Sequence, residues 1–139
     1  MLAGVGAWQA GGLRVPLALG MFRMASPDET LRRVDGVRER AGSRVDALEF
    51  NVLLQAVLVT DDAEAKAAEL ATVFAHTGLD TARRVLDSPY VLVGTAEENA
   101  RKLLANRERY GFGYVTTHGP GRDALAEVIP HARRLAEES

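Results

Sequence analysis

From Ser26 to Gly42 apolar residues recur at three- and four-residue intervals, at Leu31, Val34, Val37 and Ala41. That spacing predicts a helix with one buried stripe. Ser26-Pro27-Asp28-Glu29 supplies its start, with a capping serine, proline at the first helical position and acids in the first turn. Gly42 supplies the stop. The period then shortens to two. ALEFNVLLQAVLVT, residues 47 to 60, predicts the longest strand. One face would carry Leu48, Phe50, Val52, Leu54, Ala56 and Leu58; the other Glu49, Asn51, Leu53, Gln55, Val57 and Val59. A wholly apolar face backed by a mixed one suits a sheet with helices outside and a partly polar interior.

Asp61-Asp62 predicts the cap of a helix running to about residue 76, with Leu70, Val73 and Phe74 inward. Gly78 breaks it, and a short helix over 80–87 carries Val85 and Leu86. SPYVLVG, residues 88 to 94, is a buried-looking strand that runs into a helix over 96–110. Thr95 and Glu98 form the capping box T-x-x-E, and Ala100, Leu103, Leu104 and the stem of Arg107 line the inner stripe. Gly111 ends this helix, FGYVTTHG (112–119) is a further strand, and Gly119-Pro120-Gly121 turns the chain. The last helical stretch buries Leu125, Val128, Ile129 and Leu135, and Pro130 is expected to split it. An opening strand is expected near Leu2 to Trp8. Strands alternating with helices imply parallel pairing through right-handed crossovers. Two or three such strands leave unpaired edges, so the pattern reads as part of a larger α/β sheet or barrel.

Composition narrows the function classes. The 139 residues are 47% hydrophobic and 26% charged, as expected of one globular domain. A net charge of -2, with Arg32, Arg33, Arg38 and Arg40 interleaved among acids, gives no electrostatic case for nucleic acid or an anionic membrane. The absence of cysteine excludes disulfides, thiolate metal sites and cysteine nucleophiles, and suits a cytoplasmic protein. The acid-free opening MLAGVGAWQAGGLRVPLALGMFRM lacks the basic start of a secretory leader, and Arg14, Pro16 and Arg23 interrupt its apolar stretch. No apolar run approaches the ~20 residues of a membrane span.

EFNVLLQAVLVTDD, an alanine-rich helix, and LDSPYVLVGTAEENARKLLANRERYGFGYVTTHG followed by a final helix resemble the C-terminal end of the luciferase-like monooxygenase superfamily. The F420-dependent oxidoreductases are the closer match. The resemblance is good over residues 43–139 and loose over 1–42, where AGVGAW resembles a sixth strand. It implies a partial (β/α)8, TIM-barrel-like fold: a single domain, 1–139, forming a C-terminal half-barrel. Residues 47–60 would be strand seven and 112–117 strand eight. It implies hydride transfer or monooxygenation with coenzyme F420 or FMN. Whole members are barrels of roughly 250 residues or more, and strands one to five have no counterpart here. Two kinds of partner would supply a closed wall: a second copy of this chain, or a separate N-terminal half. A non-catalytic half-barrel acting through association is the alternative.

Active sites of such barrels lie at the carboxyl ends of the strands. Here strand eight ends in Thr116, Thr117 and His118, followed by Arg122. Two hydroxyls, a guanidinium and an imidazole could hold a phosphate or a polar ring edge, with Thr116, Thr117 and Arg122 on the cofactor and His118 as the catalytic candidate. The same residues are also ordinary polar punctuation of a strand-to-helix loop. Asp61-Asp62 falls short of a hard-cation site and reads as a cap. Asn51 and Gln55 would line a polar cavity or fill a barrel interior. His76 suits a helix end, and His131 sits among arginines on an outer face. Trp8 reads as core or as a stacking surface. GVGAWQAGG lacks the third glycine of a dinucleotide fingerprint, and no P-loop is present.

Overall fold

The computed structural model describes residues 23–139 and, before them, the backbone of residues 6–10 and 13–17. The opening strand expected at Leu2 to Trp8 lies partly outside the described residues, as does the side chain of Trp8. Its described part belongs to β1 (Gly6–Ala10), which pairs antiparallel with β2 (Leu13–Leu17). It is thus half of a hairpin, where a parallel sheet strand was expected.

The helix starts are local and form where the sequence puts them. Ser26 caps α1 (Pro27–Ala41): its hydroxyl accepts from the Glu29 N–H at 3.2 Å, and the Glu29 carboxylate accepts from the Ser26 N–H at 3.0 Å. The buried stripe is narrower than expected. Val34 is buried and Leu31 half-buried, while Val37 is 45% exposed and the polar Thr30 is buried instead. After Gly42 the chain makes a 3₁₀ turn (Gly42–Ala47), so the strand begins later than the alternation suggests.

That strand is two strands. β3 (Phe50–Leu54) and β4 (Ala56–Val59) are separated by a bend at Gln55. β3 pairs in parallel with β6 (Phe112–Thr117), Leu54 opposite Thr117; β4 pairs in parallel with β5 (Val91–Gly94), Ala56 opposite Val91. The Gln55 N–H donates to the Tyr90 carbonyl at 2.7 Å, so the bend is where the chain changes neighbours. It also shifts the side-chain phase. Leu54 and Val57 are buried on the same core, whereas strict alternation placed Leu54 with Ala56 and Leu58.

Across the chain the order is β5, then β4/β3, then β6, all parallel. Helices lie on both faces. α2 (Ala63–Phe74) and α3 (Ala82–Asp87) pack on Val91 and Val93 through Ala67, Ala71, Phe74 and Val85. The intervening Leu92 points the other way, into a core with Val34 of α1, Tyr110 of α4 (Ala96–Tyr110) and Leu125 of α5 (Arg122–Glu137). Right-handed crossovers that travel in opposite directions put their helices on opposite faces. Going from β4 out to β5, and then back past β4 to β6, does so here. Three further inward assignments need correcting. Val73 is 59% exposed because Ala67 and Ala71 form the close contact, Arg107 is exposed because Asn106 and Tyr110 take the inner stripe, and Ile129 is exposed. α5 runs unbroken through Pro130, whose position on an outer face lets the helix absorb the lost hydrogen bond.

The architecture is therefore mixed α/β with short parallel strands. Among the described residues there is no closed barrel, and no helix is long and apolar enough to cross a membrane.

Candidate functional site

In open parallel sheets, ligands bind beyond the carboxyl ends of the strands, where the order reverses. Here that is the gap between the ends of β4 and β6. β6 stops at Thr117, opposite Leu54, while the central run continues to Val59. The 3₁₀ turn Gly119–Gly121 then carries the chain back to α5. The difference in length leaves a crevice of about 230 Å³ between β4, α2 and the end of β6, with Gln55, Thr117 and His118 on its polar side and Leu70 and Phe74 on its apolar side.

The structure brings together part of the expected cluster. His118 Nε2 lies 3.3 Å from Gln55 Oε1, and both side chains are half-buried. Thr117 lines the same crevice, with its hydroxyl directed to the Leu54 carbonyl at 3.5 Å. The Thr116 hydroxyl is spent across the strand pair, 3.3 Å from both Asn51 Oδ1 and the Val52 carbonyl. Arg122 stands apart: its guanidinium is exposed and meets Asp123 at 3.5 Å. Helix geometry explains the separation, since Arg122 opens α5 and projects away from the turn that holds His118.

Gln55, expected with Asn51 to line a polar cavity or fill a barrel interior, does line this crevice. Its signal was present in the sequence as a polar residue in the middle of an apolar run, and the bend turns it towards His118. Asn51 is exposed and fills no barrel interior, but it lines a second cavity, of about 390 Å³, beside β3.

The other polar candidates resolve as structure. The Asp62 carboxylate accepts from the Ala65 N–H at 3.1 Å, so the acidic pair caps α2. His76 and His131 each keep one buried ring nitrogen without a partner; His131 is half-buried between α5 and its neighbours, not on an outer face. Thr95 and Glu98 close their own capping box, at 3.1 and 2.8 Å, which already satisfies the N–H groups of both residues.

A crevice of this size is smaller than the roughly 300–1,000 Å³ of whole small-molecule sites. With one imidazole, one amide and one hydroxyl it fits the edge of a ring or a single phosphate. It does not enclose a flavin or deazaflavin, and no reaction step through either group follows from these residues alone. Comparison with protein-family models, with curated proteins and with solved structures gives no match for this chain.

Proposed function

We propose that this chain is one part of an oxidoreductase of the luciferase-like type, working with coenzyme F420 or FMN once a second copy or a separate N-terminal half closes over its open sheet face. The half-barrel reading belongs to this proposal. The observation that carries it is the pairing of a polar rim with an uncovered surface. The Gln55–His118 pair sits at the carboxyl ends of parallel strands, beside a sheet face on which Leu53 and Tyr114 are 39% and 54% exposed. Bound there, the cofactor would supply the hydride chemistry, and this chain would orient it. His118 and Thr117 would meet the ring edge or phosphate, and Arg122 is long enough to turn towards an anion from the α5 start.

A second reading, a non-catalytic association module, is favoured by the Thr116 and Thr117 hydroxyls being directed to strand carbonyls and by the small crevice. Fluorescence titration of the folded, assembled protein with F420 and with FMN separates the two. The oxidoreductase reading expects saturable binding that weakens at least ~10-fold (about 1.4 kcal/mol) in His118→Ala. Flat titrations with both cofactors would leave only the association module.

A further inference from the structure

We propose that the slot between α1 and the free edge of β3 is a binding site for a small aromatic carboxylate whose ring carries an N–H or O–H donor. Among the described residues β3 pairs with β6 on one side only, while β5 begins its pairing at β4. The edge left open borders a cavity of about 390 Å³, within the range of small-molecule sites. It is separate from the His118 crevice and shares only Gln55 with it.

Three features define the ligand. Val34, Phe50, Val52 and Phe112 give the cavity apolar walls that suit a ring. Deeper in, the hydroxyls of Thr30 and Tyr90 lie 2.8 Å apart. Thr30 Oγ1 donates to the Ser26 carbonyl at 2.9 Å, so its single proton is committed. In the arrangement in which the Thr30 hydroxyl donates to Ser26, the Tyr90 hydroxyl donates to Thr30 and its oxygen is left on the cavity wall as an acceptor. A ligand donor satisfies it. Arg33 and Arg23, both exposed, line the cavity and enter no ion pair among the described residues, with the Arg23 guanidinium resting beside Gly78. The neighbouring Glu29 carboxylate is engaged by the Ser26 N–H. Arg33, with Arg23 able to swing in from Gly78, gives this apolar slot a preference for an anion, and the guanidinium fork suits a carboxylate.

The test is titration of the full chain with indole-3-propionate, followed by amide NMR shifts. Saturable binding is expected, with shifts centred on Thr30, Val52 and Tyr90. Indole-3-propionamide, and separately the Arg23→Gln/Arg33→Gln double variant, should each bind at least ~10-fold more weakly. Tyr90→Phe, which retains the ring, should weaken indole-3-propionate yet leave 2-naphthalenepropionate, which has no donor, unchanged. Val34→Trp should fill the slot and abolish binding. The proposal is overturned if folded protein shows no saturation up to about 10 mM ligand, well past the weakest useful affinity. It is equally overturned if the amide binds as well as the acid, or if the shifts gather on Tyr114 and Thr116, which lie outside the cavity.

Discussion

Asn99 is 1% exposed, and its side-chain amide donates to the Leu58 carbonyl at 3.0 Å and the Gly94 carbonyl at 3.3 Å, tying the first turn of α4 to the ends of β4 and β5. Asn99→Ala takes the side-chain donor from the Leu58 carbonyl, while the Gly94 carbonyl keeps the Thr60 N–H, and is expected to cost about 1–3 kcal/mol, read as a lower urea midpoint at unchanged slope. Gly94 has φ 156°, and a Cβ there would come within 2.7 Å of the Glu98 carboxylate that closes the capping box. Lys102 shows the same economy of polar groups. Its ammonium donates to the carbonyls of Leu86 at 2.6 Å and Val91 at 2.8 Å, and burial pushes its pKa down to about 8, against a partial upward pull from Asp87. The folded pKa thus lies below the unfolded value. Between about pH 8 and 10 the unfolded chain holds more protons, so this group makes the protein more stable as pH rises. The buried Tyr110 phenol, raised above its ordinary value by burial, works in the opposite direction only above about pH 10. Denaturant titrations at pH 8 and pH 10 should show a gain on the order of 1–3 kcal/mol that is absent in Lys102→Met. A wild-type profile as flat as the variant's would refute this account of Lys102. Neither Asn99 nor Lys102 was legible beforehand. A polar residue on a helix reads as solvated until the carbonyls it meets, up to 41 positions away, are known.

At the scale of elements, what depends on neighbours in sequence was readable and what depends on pairing was not. Both capping boxes, and the ends of α1 and α4 at Gly42 and Gly111, are local features and appear where the residue types put them. The run from Ala47 to Thr60 has the hydrophobicity of one strand, but its two halves pair with strands that lie 18 or more residues apart in the chain. Nothing within the run encodes that choice except Gln55, a single polar residue at the exchange point. The phase shift gives a direct check. Strict alternation puts Leu58 on the wholly apolar face with Leu54 and Val57 on the mixed one; the structure makes Val57 3% exposed and Leu58 half-buried. Val57→Asp should therefore cost at least ~3–4 kcal/mol by placing a charge in the core, and Leu58→Asp distinctly less. Thermal melts of the pair decide it, and the reverse ranking would restore the single strand. The candidate site was legible to a similar depth: Thr117 and His118 follow from their place at a strand end, whereas the departure of Arg122 depends on how α5 leaves its turn.

For the whole molecule, the order β5–β4/β3–β6 gives the two strand pairs unequal cover. Around β4 and β5 there are helices on both sides, with Val91 and Val93 buried against α2 and α3 and Leu92 against α1, α4 and α5. Among the described residues the β3–β6 pair is covered on one face only. Its other face presents Asn51, Leu53, Tyr114 and Thr116, in which Leu53 lies opposite Thr116 and Asn51 opposite Tyr114. A large aromatic and a leucine, both substantially exposed on adjacent parallel strands, form the kind of surface that soluble proteins usually bury in association. The edge of β3 next to it lacks a partner strand among the described residues, which adds main-chain donors and acceptors to the same region. Self-association across this face is the expected outcome, and sedimentation at micromolar concentration should find a dimer or larger species. Replacing Leu53 and Tyr114 together by Glu and Lys should return the chain to a monomer without lowering its melting temperature by more than a few degrees, since neither side chain is in the core. If instead the wild type sediments as a monomer, the closing wall must come from a different chain. The oxidoreductase proposal then rests on finding that chain, because the rim at His118 alone is too small to hold the cofactor.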